Sequence, residues 1–364
     1  MSRPIQASID LASLRHNYGI AKDRARICGK SSKVLPVVKA NAYGHGLMRV
    51  ANALRDVADG FALLDVGDAV SLREAGFSQP ILLLEGFFDE ADLAACLQHQ
   101  LIPAVHRVEQ FSMLRRQAAT GRLPVFVKLN TGMNRLGFTA DDVSDLRKAL
   151  AMTEAVSDVT LMTHFAEADG AKGVEWQVER FDAIRALWPE CRNYAVSMAN
   201  SAALLRYPET IADVARPGVM LYGGSPFDDV SAADLGLEPV MTLSSEVLAI
   251  HDIAAGESVG YGGTFVADRP MRIGVVACGY ADGYPRHAST GTPILVNGVR
   301  TRTLGRVSMD MLVCDLTEIS DASVGSPVVL WGRGLPADDV ARAAGTICYE
   351  LFCALARRVP VVEV

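Results

Sequence analysis

The sequence predicts an α/β protein, with an N-terminal (β/α)8 TIM-type barrel over residues 11–230 and a mainly β C-terminal domain over residues 231–364. Before about residue 230, short apolar runs alternate with segments whose apolar residues recur at helical spacing. Eight such units within about 220 residues are typical of a parallel barrel. Beyond residue 235, most apolar runs are β-rich and are separated by turns such as Asn297-Gly298.

The predicted elements follow in chain order. Residues 1–10 are expected to form a strand outside the barrel, because Asp10 is suited to cap a helix that begins at Leu11. That strand needs another sheet, so we expect it to join the C-terminal domain. The barrel strands are predicted at residues 34–39, 61–64, 81–84, 101–105, 125–130, 159–164, 194–197 and 219–222. The C-terminal strands are predicted within residues 241–253, 272–278, 292–296, 303–315 and 327–331, with a helix at 336–344.

The helices between the barrel strands are predicted from apolar stripes. The clearest stripe has its members at positions i, i+3, i+4, i+7 and i+10: Leu47, Val50, Ala51, Leu54 and Val57. Gly60 follows, where a glycine suits the end of a helix.

Charge and composition exclude several classes of function. The net charge is −7 and the basic residues are scattered, so we expect no nucleic-acid partner. No apolar run approaches the ~20 residues of a membrane span, and no export signal is evident, so we expect a cytoplasmic protein without a membrane partner. Seven cysteines without a CxxC pair fit reduced thiols better than disulfides or a metal site. A small metabolite is the expected ligand.

Three chemically useful side chains fall at or near the ends of predicted barrel strands: Lys39, Lys128 and His164. Barrel enzymes carry their chemistry at the C-terminal ends of the strands. A single lysine is usually a solvated surface charge, and a single histidine is more often structural than catalytic. Their joint placement favours an active site, in which a lysine could form a Schiff base with a carbonyl group. Spacing alone leaves the reaction open.

Eight sequence blocks resemble those of alanine racemases and occur in that family's order. They are VVKANAYGHG, KLNTGMNRLGF, THFAEAD, RPGVMLYG, VGYGGT, GYADGYPR, GRVSMDM and CYEL, which together run from Lys39 to Leu351. The resemblance implies a barrel that binds pyridoxal 5'-phosphate and a C-terminal β domain. It also implies a head-to-tail homodimer with composite active sites that interconvert L-alanine and D-alanine, either for peptidoglycan synthesis or in alanine catabolism.

The resemblance also assigns the catalytic residues. Lys39 would hold the cofactor and act as one of two bases at Cα of the substrate. Tyr261, contributed by the partner subunit, would be the second base on the opposite face. His164 and Arg216 would form a hydrogen-bonded chain with Tyr261, with Arg216 facing the ring nitrogen of the cofactor. A guanidinium there disfavours protonation of that nitrogen and so favours racemisation over transamination.

Cofactor binding is assigned by the same resemblance. The phosphate would be held by Tyr43, Ser201 and Tyr349 and by the backbone around Gly218 and Val219. Hydroxyl donors and loop amides are suitable ligands for a dianion. Without the resemblance, the two tyrosines would be interpreted as half-buried core aromatics.

Arg135 would reach the phenolate oxygen of the cofactor and the substrate. Lys128 matches a lysine that is often carbamylated in the family, and such a carbamate would orient Arg135. This chain departs from the family pattern at Asn130, where many relatives have aspartate. The exchange removes a carboxylate and puts the local electrostatic arrangement in doubt.

Substrate selection is assigned to residues at the entrance of the site. Met309 and Asp310 of the partner subunit would contact the substrate, with the Met309 amide near its carboxylate. Tyr280 and Tyr349 would narrow the entrance, which suits alanine and makes serine a slow substrate.

Two other functions share parts of this pattern. A pyridoxal-phosphate-dependent amino-acid decarboxylase has a similar barrel and cofactor lysine, but places an acidic group where Arg216 is expected. A non-catalytic pyridoxal-phosphate carrier would leave the second domain, with Tyr261 and Met309, unexplained.

Overall fold

A computed structural model of the chain describes residues 3–27 and 32–364. Eight short parallel strands form the N-terminal barrel. They are Lys33–Val34, Phe61–Leu63, Ile81–Leu83, Ile102–Val105, Leu123–Lys128, Val156–Met162, Ala195–Ser197 and Val214–Ala215. The second to seventh of these pair in order, and the first pairs with the eighth. A bridge between Val37 and Ala62 joins the first strand to the second.

Backbone hydrogen bonds close the ring between the seventh and eighth strands. The N–H of Arg216 donates to the carbonyl of Ala199, and the N–H of Asp213 donates to the carbonyl of Val196. The predicted parallel barrel is therefore confirmed. The C-terminal ends of its strands face one side of the molecule, where a barrel of this kind places its binding site.

The prediction of a strand at residues 219–222 was wrong. Val219–Tyr222 is a buried 3-10 helix, and the eighth strand is Val214–Ala215. A short apolar run does not distinguish a strand from a buried helical turn, because neither period is visible over four residues. The first barrel strand also ends earlier than predicted, so that Lys39 begins a turn instead of ending a strand.

Helices surround the barrel and bury their predicted apolar stripes. Asp10 caps the first of them by accepting a hydrogen bond from the N–H of Ser13 at 3.0 Å. In the helix Leu47–Leu54, the residues Leu47, Val50, Ala51 and Leu54 are buried. The helices of this part of the chain are Leu11–Arg26, Leu47–Leu54, Val66–Glu74, Glu90–Gln98, Val108–Arg116, Val143–Ala151, Glu175–Ala186 and Ser201–Arg206.

A second, mostly antiparallel sheet is built from the C-terminal part of the chain and the first strand. Its strands, in sheet order, are Met271–Val276, Leu312–Asp315, Val299–Leu304, Pro293–Val296, Pro327–Trp331, Met241–Ile253, Gln6–Ile9 and Val361–Glu363. The long strand Met241–Ile253 also pairs with Met271–Val276, so part of the sheet curls into a closed ring. Gln6–Ile9 lies between Met241–Ile253 and Val361–Glu363 and ties the start of the chain to its end.

Other elements complete the C-terminal part. The short strands Ser258–Val259 and Phe265–Val266 pair with each other, and the helices here are Ala337–Ala344 and Cys348–Cys353. Asn297 and Gly298 form the predicted two-residue hairpin turn, both with positive φ, at 50° and 77°. Within the described ranges, no helix combines the length and apolar character that a bilayer crossing requires.

Candidate active site at the mouth of the barrel

A cavity of about 540 Å³ opens at the C-terminal ends of the barrel strands. Ten of the site residues predicted from the sequence line it: Lys39, Tyr43, Lys128, Arg135, His164, Ser201, Arg216, Gly218, Val219 and Tyr349. Its four basic side chains, Lys39, Lys128, Arg135 and Arg216, face two carboxylates, those of Glu85 and Asp169. The excess of positive charge favours an anionic ligand.

Lys39 begins a left-handed turn. Ala40, Asn41, Ala42 and Tyr43 all have φ of 52° or 53°, and Gly44 follows with φ of 78°. For residues other than glycine this conformation costs roughly 1–2 kcal/mol each, because Cβ approaches the next carbonyl oxygen. Consecutive residues in this state are rare, and such strain is typical of functional sites. Local contacts must therefore hold the turn that carries Lys39.

Hydrogen bonds from nearby residues hold this turn. The ring of His45 bonds through Nδ1 to the carbonyl oxygens of Tyr43, at 2.8 Å, and Ala42, at 3.1 Å. The Asn41 side chain accepts a hydrogen bond from the N–H of Leu47 at 2.8 Å. The Asn41 carbonyl accepts another from Gly46 at 2.9 Å. The side chains of Asn41 and His45 thus pair with backbone groups of the turn and of the helix start that follows it.

Gly44 lets the turn pack closely on a C-terminal helix. A Cβ atom at this position would lie 2.0 Å from the carbonyl oxygen of Phe352, in the helix Cys348–Cys353. That helix presents Tyr349 and Cys353 to the cavity. The glycine therefore brings together the Lys39 turn and the C-terminal part of the site.

The amines of Lys39 and Lys128 are both shifted toward their neutral forms. Burial, followed by repulsion from Arg135, lowers the pKa of Lys39 below its ordinary value. Burial, with repulsion from Arg216 and Arg135, lowers the pKa of Lys128 to about 8. Only a neutral amine is a nucleophile or a proton acceptor, so this environment activates both groups.

Arg216 is a buried cation held by neutral groups. Its guanidinium donates to the Ser197 hydroxyl, to the carbonyl of Thr163 at 2.7 Å and to that of Met198 at 3.5 Å. Burial lowers its pKa to about 10, so it stays charged at neutral pH. Since its direct partners carry no negative charge, the charge remains available to a ligand in the cavity.

His164 lies beside these cations and is neutral. Burial, followed by repulsion from Arg216 and Lys128, holds the pKa of His164 well below its ordinary value. A neutral imidazole can donate through one ring nitrogen and accept through the other. It is therefore suited to link a hydroxyl group to the Arg216 region.

Asn130 holds the loop that carries Arg135. The Asn130 side-chain oxygen accepts hydrogen bonds from the N–H groups of Gly132 and Asn134, both at 3.0 Å. Its amide nitrogen donates to the side chain of Asn134 at 3.2 Å. A carboxylate would accept the same two backbone bonds, so the loop geometry does not require aspartate at this position. The asparagine removes a negative charge and keeps the turn.

The wall around Ser201 is suited to a phosphate. Ser201 Oγ accepts hydrogen bonds from the N–H groups of Gly218, at 2.8 Å, and Met220, at 3.4 Å. Gly218 is packed by Tyr43, whose hydroxyl would lie 2.6 Å from a Cβ atom there. Burial raises the pKa of the Tyr43 phenol, which therefore remains a hydroxyl donor. Ser201 and Val219 begin helical turns, where the first N–H groups lack partners within the helix.

The other predicted site residues are exposed and lie outside this cavity. Tyr261 is 74% exposed, Met309 53% and Tyr280 38%. Tyr261 sits in a turn with positive φ at Gly260, Gly262 and Gly263, which explains the glycines of VGYGGT. The Asp310 carboxylate is paired with Arg358 at 2.7 Å. None of these four residues lines the cavity of its own chain.

Glu85 and His45 belong to this region but were not predicted from the sequence. Glu85 lines the cavity just beyond the strand Ile81–Leu83, so the strand-end rule that found Lys128 applied to it as well. His45 does not line the cavity. Its role in holding the left-handed turn had no signal in the sequence pattern, because that turn has no propensity signature.

Comparison with known proteins decides the family. The N-terminal domain model of alanine racemases matches residues 9–226, and the C-terminal domain model matches residues 240–363. The chain belongs to the alanine racemase family. Alanine racemase of Nitrosomonas eutropha is 50% identical over 365 residues, with all of both chains covered. That of Thiobacillus denitrificans is 55% identical over 363 residues, covering all of this chain and 96% of the relative.

Solved structures of the family agree with the fold. The biosynthetic alanine racemase of Pseudomonas aeruginosa is 44% identical and superimposes with a TM-score of 0.94 over 100% of this chain and 99% of that one. The alanine racemase of Acinetobacter baumannii is 39% identical, with a TM-score of 0.91 over the whole of both chains. The chain therefore shares the arrangement of both domains with these solved structures.

The donor set of the cavity fits pyridoxal 5'-phosphate. A reactive amine is present at Lys39, and hydroxyl and amide donors surround Ser201 and Gly218. A fixed cation is present at Arg216, without a carboxylate among its direct hydrogen-bond partners. These groups match a phosphorylated aromatic aldehyde whose ring nitrogen would face a guanidinium.

Proposed function

We propose that the chain interconverts L-alanine and D-alanine, with pyridoxal 5'-phosphate attached at Lys39. One observation carries the proposal: the amine of Lys39 lies at the wall of a cationic cavity that also contains Arg216, in a chain related to alanine racemases along its whole length. The lowered pKa of Lys39 supports its use as a base.

The cofactor would be held by groups that already line the cavity. Tyr43, Ser201 and Tyr349, with the backbone around Gly218 and Val219, would bind its phosphate. When bound, pyridoxal phosphate withdraws electrons from Cα of the attached amino acid and makes its proton removable. Burial of Ser201 and Tyr43 supports this assignment, because hydrogen bonds to a dianion are stronger away from water.

Lys39 would move the proton on one face of Cα. Its amine, shifted toward the neutral form, can accept the Cα proton of one enantiomer, and its charged form can return a proton to that same face when this enantiomer is the product. The left-handed turn holds this lysine at a fixed place in the wall. Racemisation needs a second acid and base on the opposite face.

Tyr261 of a second copy of the chain would supply that second group. Within the part of the chain that the structure describes, Tyr261 is not among the residues that line the cavity, and its side chain is 74% exposed. A homodimer in which each chain lends Tyr261 to the other would bury it against the ligand. This arrangement supports two composite active sites in each dimer.

His164 and Arg216 would assist that tyrosine. A phenol has a reference pKa of ~10 and is a weak base at neutral pH without help. Neutral His164 can accept the hydroxyl hydrogen bond, and the Arg216 charge favours the phenolate. The same charge would disfavour protonation of the cofactor ring nitrogen, which limits transamination.

The loops around Tyr280 and Met309 would select the substrate. Met309 of the partner chain is proposed to donate its backbone amide to the substrate carboxylate. Arg135 would contact the substrate from the chain that forms the cavity. Tyr280 and Tyr349 would narrow the entrance and exclude long side chains. Because the Asp310 carboxylate is paired with Arg358, we expect Asp310 to support the Met309 loop and to affect the substrate through it.

Lys128 is proposed to carry a carbamate. Its pKa of about 8 leaves part of the amine neutral near pH 7.5, and a neutral amine reacts with carbon dioxide. The carbamate would place a negative charge among Arg135, Arg216 and Lys39. That charge would compensate for the carboxylate that Asn130 lacks.

Incubation of L-alanine in deuterated water with cofactor-loaded protein tests the function. We expect D-alanine that carries deuterium at Cα, detected by chiral chromatography and mass spectrometry, and no such product with Lys39→Ala. Release of carbon dioxide instead of D-alanine would support a decarboxylase. Bound cofactor without turnover of any amino acid would support a carrier, and either result would overturn the proposal.

A further inference from the structure

We propose that Asp282 is a positioning residue, which sets the arrangement of two exposed loops through bonds to Arg3 and Arg358. We name these three residues the Asp282 clamp. The loops are residues 279–283, with Tyr280, and residues 308–311, with Met309. The inference rests on the proposed function, since it concerns how one chain presents Tyr280 and Met309 to the cavity of its partner.

The Asp282 carboxylate is fully buried and uses both oxygens. Oδ1 accepts from Arg3 Nη1 and from Arg358 Nε, each at 2.7 Å. Oδ2 accepts from Arg3 Nη2 at 3.1 Å and from the N–H of Gly279 at 2.9 Å. Burial disfavours the charged form, but the bonds from Arg3 and Arg358 outweigh it and hold the pKa of Asp282 below its ordinary value. The carboxylate therefore stays charged.

The same groups reach the second loop. Arg3 Nη2 donates to the carbonyl of Asp310 at 2.6 Å, and Arg358 Nη2 donates to the Asp310 carboxylate at 2.7 Å. Both arginines thus bind Asp282 in one loop and Asp310 in the other. An arginine with two occupied edges fixes the distance between its partners, because its guanidinium is planar and rigid.

Backbone contacts connect the two loops at the positions of Tyr280 and Met309. The N–H of Tyr280 donates to the carbonyl of Ser308, and that of Ala281 donates to the carbonyl of Met309, both at 3.0 Å. A Cβ atom at Gly279 would lie 2.3 Å from the Met309 carbonyl oxygen. The two loops are in direct contact at Tyr280 and Met309, so a shift in one moves the other.

The clamp also connects these loops to the cavity of their own chain. The N–H of Ala356 donates to the Asp282 carbonyl at 3.1 Å. A Cβ atom at Gly283 would lie 2.3 Å from the Ala354 carbonyl oxygen. These contacts fall directly after the helix Cys348–Cys353, which carries Tyr349. The backbone of the loop that carries Asp282 therefore packs on the segment that directly follows the helix with Tyr349.

Asp282→Asn tests the clamp, since it keeps the shape of the side chain and removes its charge. If Asp282→Asn folds poorly, Arg3→Gln and Arg358→Gln test the same contacts, because these two arginine side chains are partly exposed. Asp339→Asn is the matched control, because Asp339 also pairs with two arginines, Arg300 at 3.0 Å and Arg342 at 3.5 Å.

We expect Asp282→Asn to raise KM for alanine about tenfold, the effect of weakening one charge-assisted hydrogen bond, with a smaller change in kcat. Arg3→Gln and Arg358→Gln should each raise KM in the same direction. Amide hydrogen exchange should become faster at residues 279–283 and 308–311. The absorption spectrum and content of bound cofactor should stay as in the unmodified chain, and Asp339→Asn should leave KM and exchange in these loops unchanged.

Unchanged exchange in both loops of a folded Asp282→Asn variant would overturn the clamp. Faster exchange with unchanged KM would overturn its role in positioning Tyr280 and Met309. An equal KM increase in Asp339→Asn would show that the effect is not specific to the Asp282 clamp, and would overturn the proposal. If the unmodified protein makes no D-alanine, the proposed function fails, while the exchange measurement still judges the clamp separately.

Discussion

The His45 ring bonds through Nδ1 to the carbonyl oxygen of Tyr43, 2.8 Å away and two residues earlier in the chain. The acceptor, Tyr43, is the last non-glycine residue of the left-handed run that begins directly after Lys39. The ring is completely buried and packs on Tyr222, with ring centroids 4.5 Å apart, and edge-on against Phe352. A side chain that does not line the cavity thus holds the strained backbone beside the Lys39 amine.

Acid should destabilise the protein through His45. Burial lowers the pKa of His45 to about 4, whereas the unfolded chain has the ordinary value near 6.5. The unfolded state therefore binds more protons between these values, and stability falls as pH falls from 6.5 toward 4, by about 3 kcal/mol. His45→Asn keeps a donor for the turn without titrating there, so urea unfolding from pH 7 to pH 4.5 should show a weaker pH dependence.

His251→Asn is the control for this measurement, because His251 is exposed on a strand. The assignment to His45 would be wrong if both variants lost stability on acidification as steeply as the unmodified protein.

Gly44→Ala should lower the free energy of unfolding by more than the positive φ at this position alone would cause. The added methyl group would meet the Phe352 carbonyl oxygen at 2.0 Å, and φ is 78°. Gly345→Ala is a matched control, since φ is 71° there and no heavy atom lies within 4 Å of the added position. We expect about 1 kcal/mol of destabilisation at Gly345 and at least twice that at Gly44.

Thermal or urea unfolding of both variants measures this difference. Equal losses at the two positions would mean that the contact between the Lys39 turn and the helix Cys348–Cys353 is not tight.

The barrel could be predicted from the sequence because its apolar runs and helical stripes are repeated and separated by polar segments. The left-handed turn could not, since Ala40, Ala42 and Tyr43 carry no local preference for positive φ, and a single asparagine, Asn41, does not predict a run of such residues. Its conformation depends on His45 and on the distant Phe352. The eighth strand was missed because Val214–Ala215 is too short to show a period, and the neighbouring run at Val219 was more apolar.

Some residues of the candidate site could be predicted from their position in the barrel, and others could not. Lys128 and His164 fall near strand ends, which the barrel rule indicates directly. Tyr261, Met309 and Tyr280 have no such signal, because their proposed use depends on a second chain. Only the resemblance to a family pointed to them, and in the single chain they are exposed.

Arg216→Gln should increase transamination relative to racemisation. Glutamine retains a donor but removes the fixed charge proposed to face the cofactor ring nitrogen, which makes protonation of that nitrogen easier. The buried Ser197 and Thr163 partners lose part of their bonding, at a cost of about 1–3 kcal/mol in stability. The ratio of pyruvate formed to D-alanine formed, measured at a temperature where the variant is folded, should rise. An unchanged ratio with normal cofactor content would contradict the role assigned to the charge.

Lys128 should bind carbon dioxide at neutral to mildly alkaline pH. Carbamate formation requires the neutral amine, so the modified fraction should fall as the pH is lowered below the pKa of about 8. Carbon-13 NMR of protein equilibrated with labelled bicarbonate should show a carbamate resonance that Lys128→Arg abolishes. Lys148→Arg is the control, since the Lys148 side chain is 70% exposed. A resonance that survives Lys128→Arg would place the modification elsewhere.

The most direct test of the composite two-base site is complementation between two inactive variants. Lys39→Ala and Tyr261→Phe would each inactivate both sites of a homodimer. After dissociation and random reassociation, half of the dimers would be mixed, and each would contain one site with both Lys39 and Tyr261 intact and one site with neither. We predict recovery of about a quarter of the unmodified racemase activity, from two samples that are inactive alone. No recovery in a mixture shown by mass spectrometry to contain mixed dimers would contradict the proposal that the two bases come from different chains.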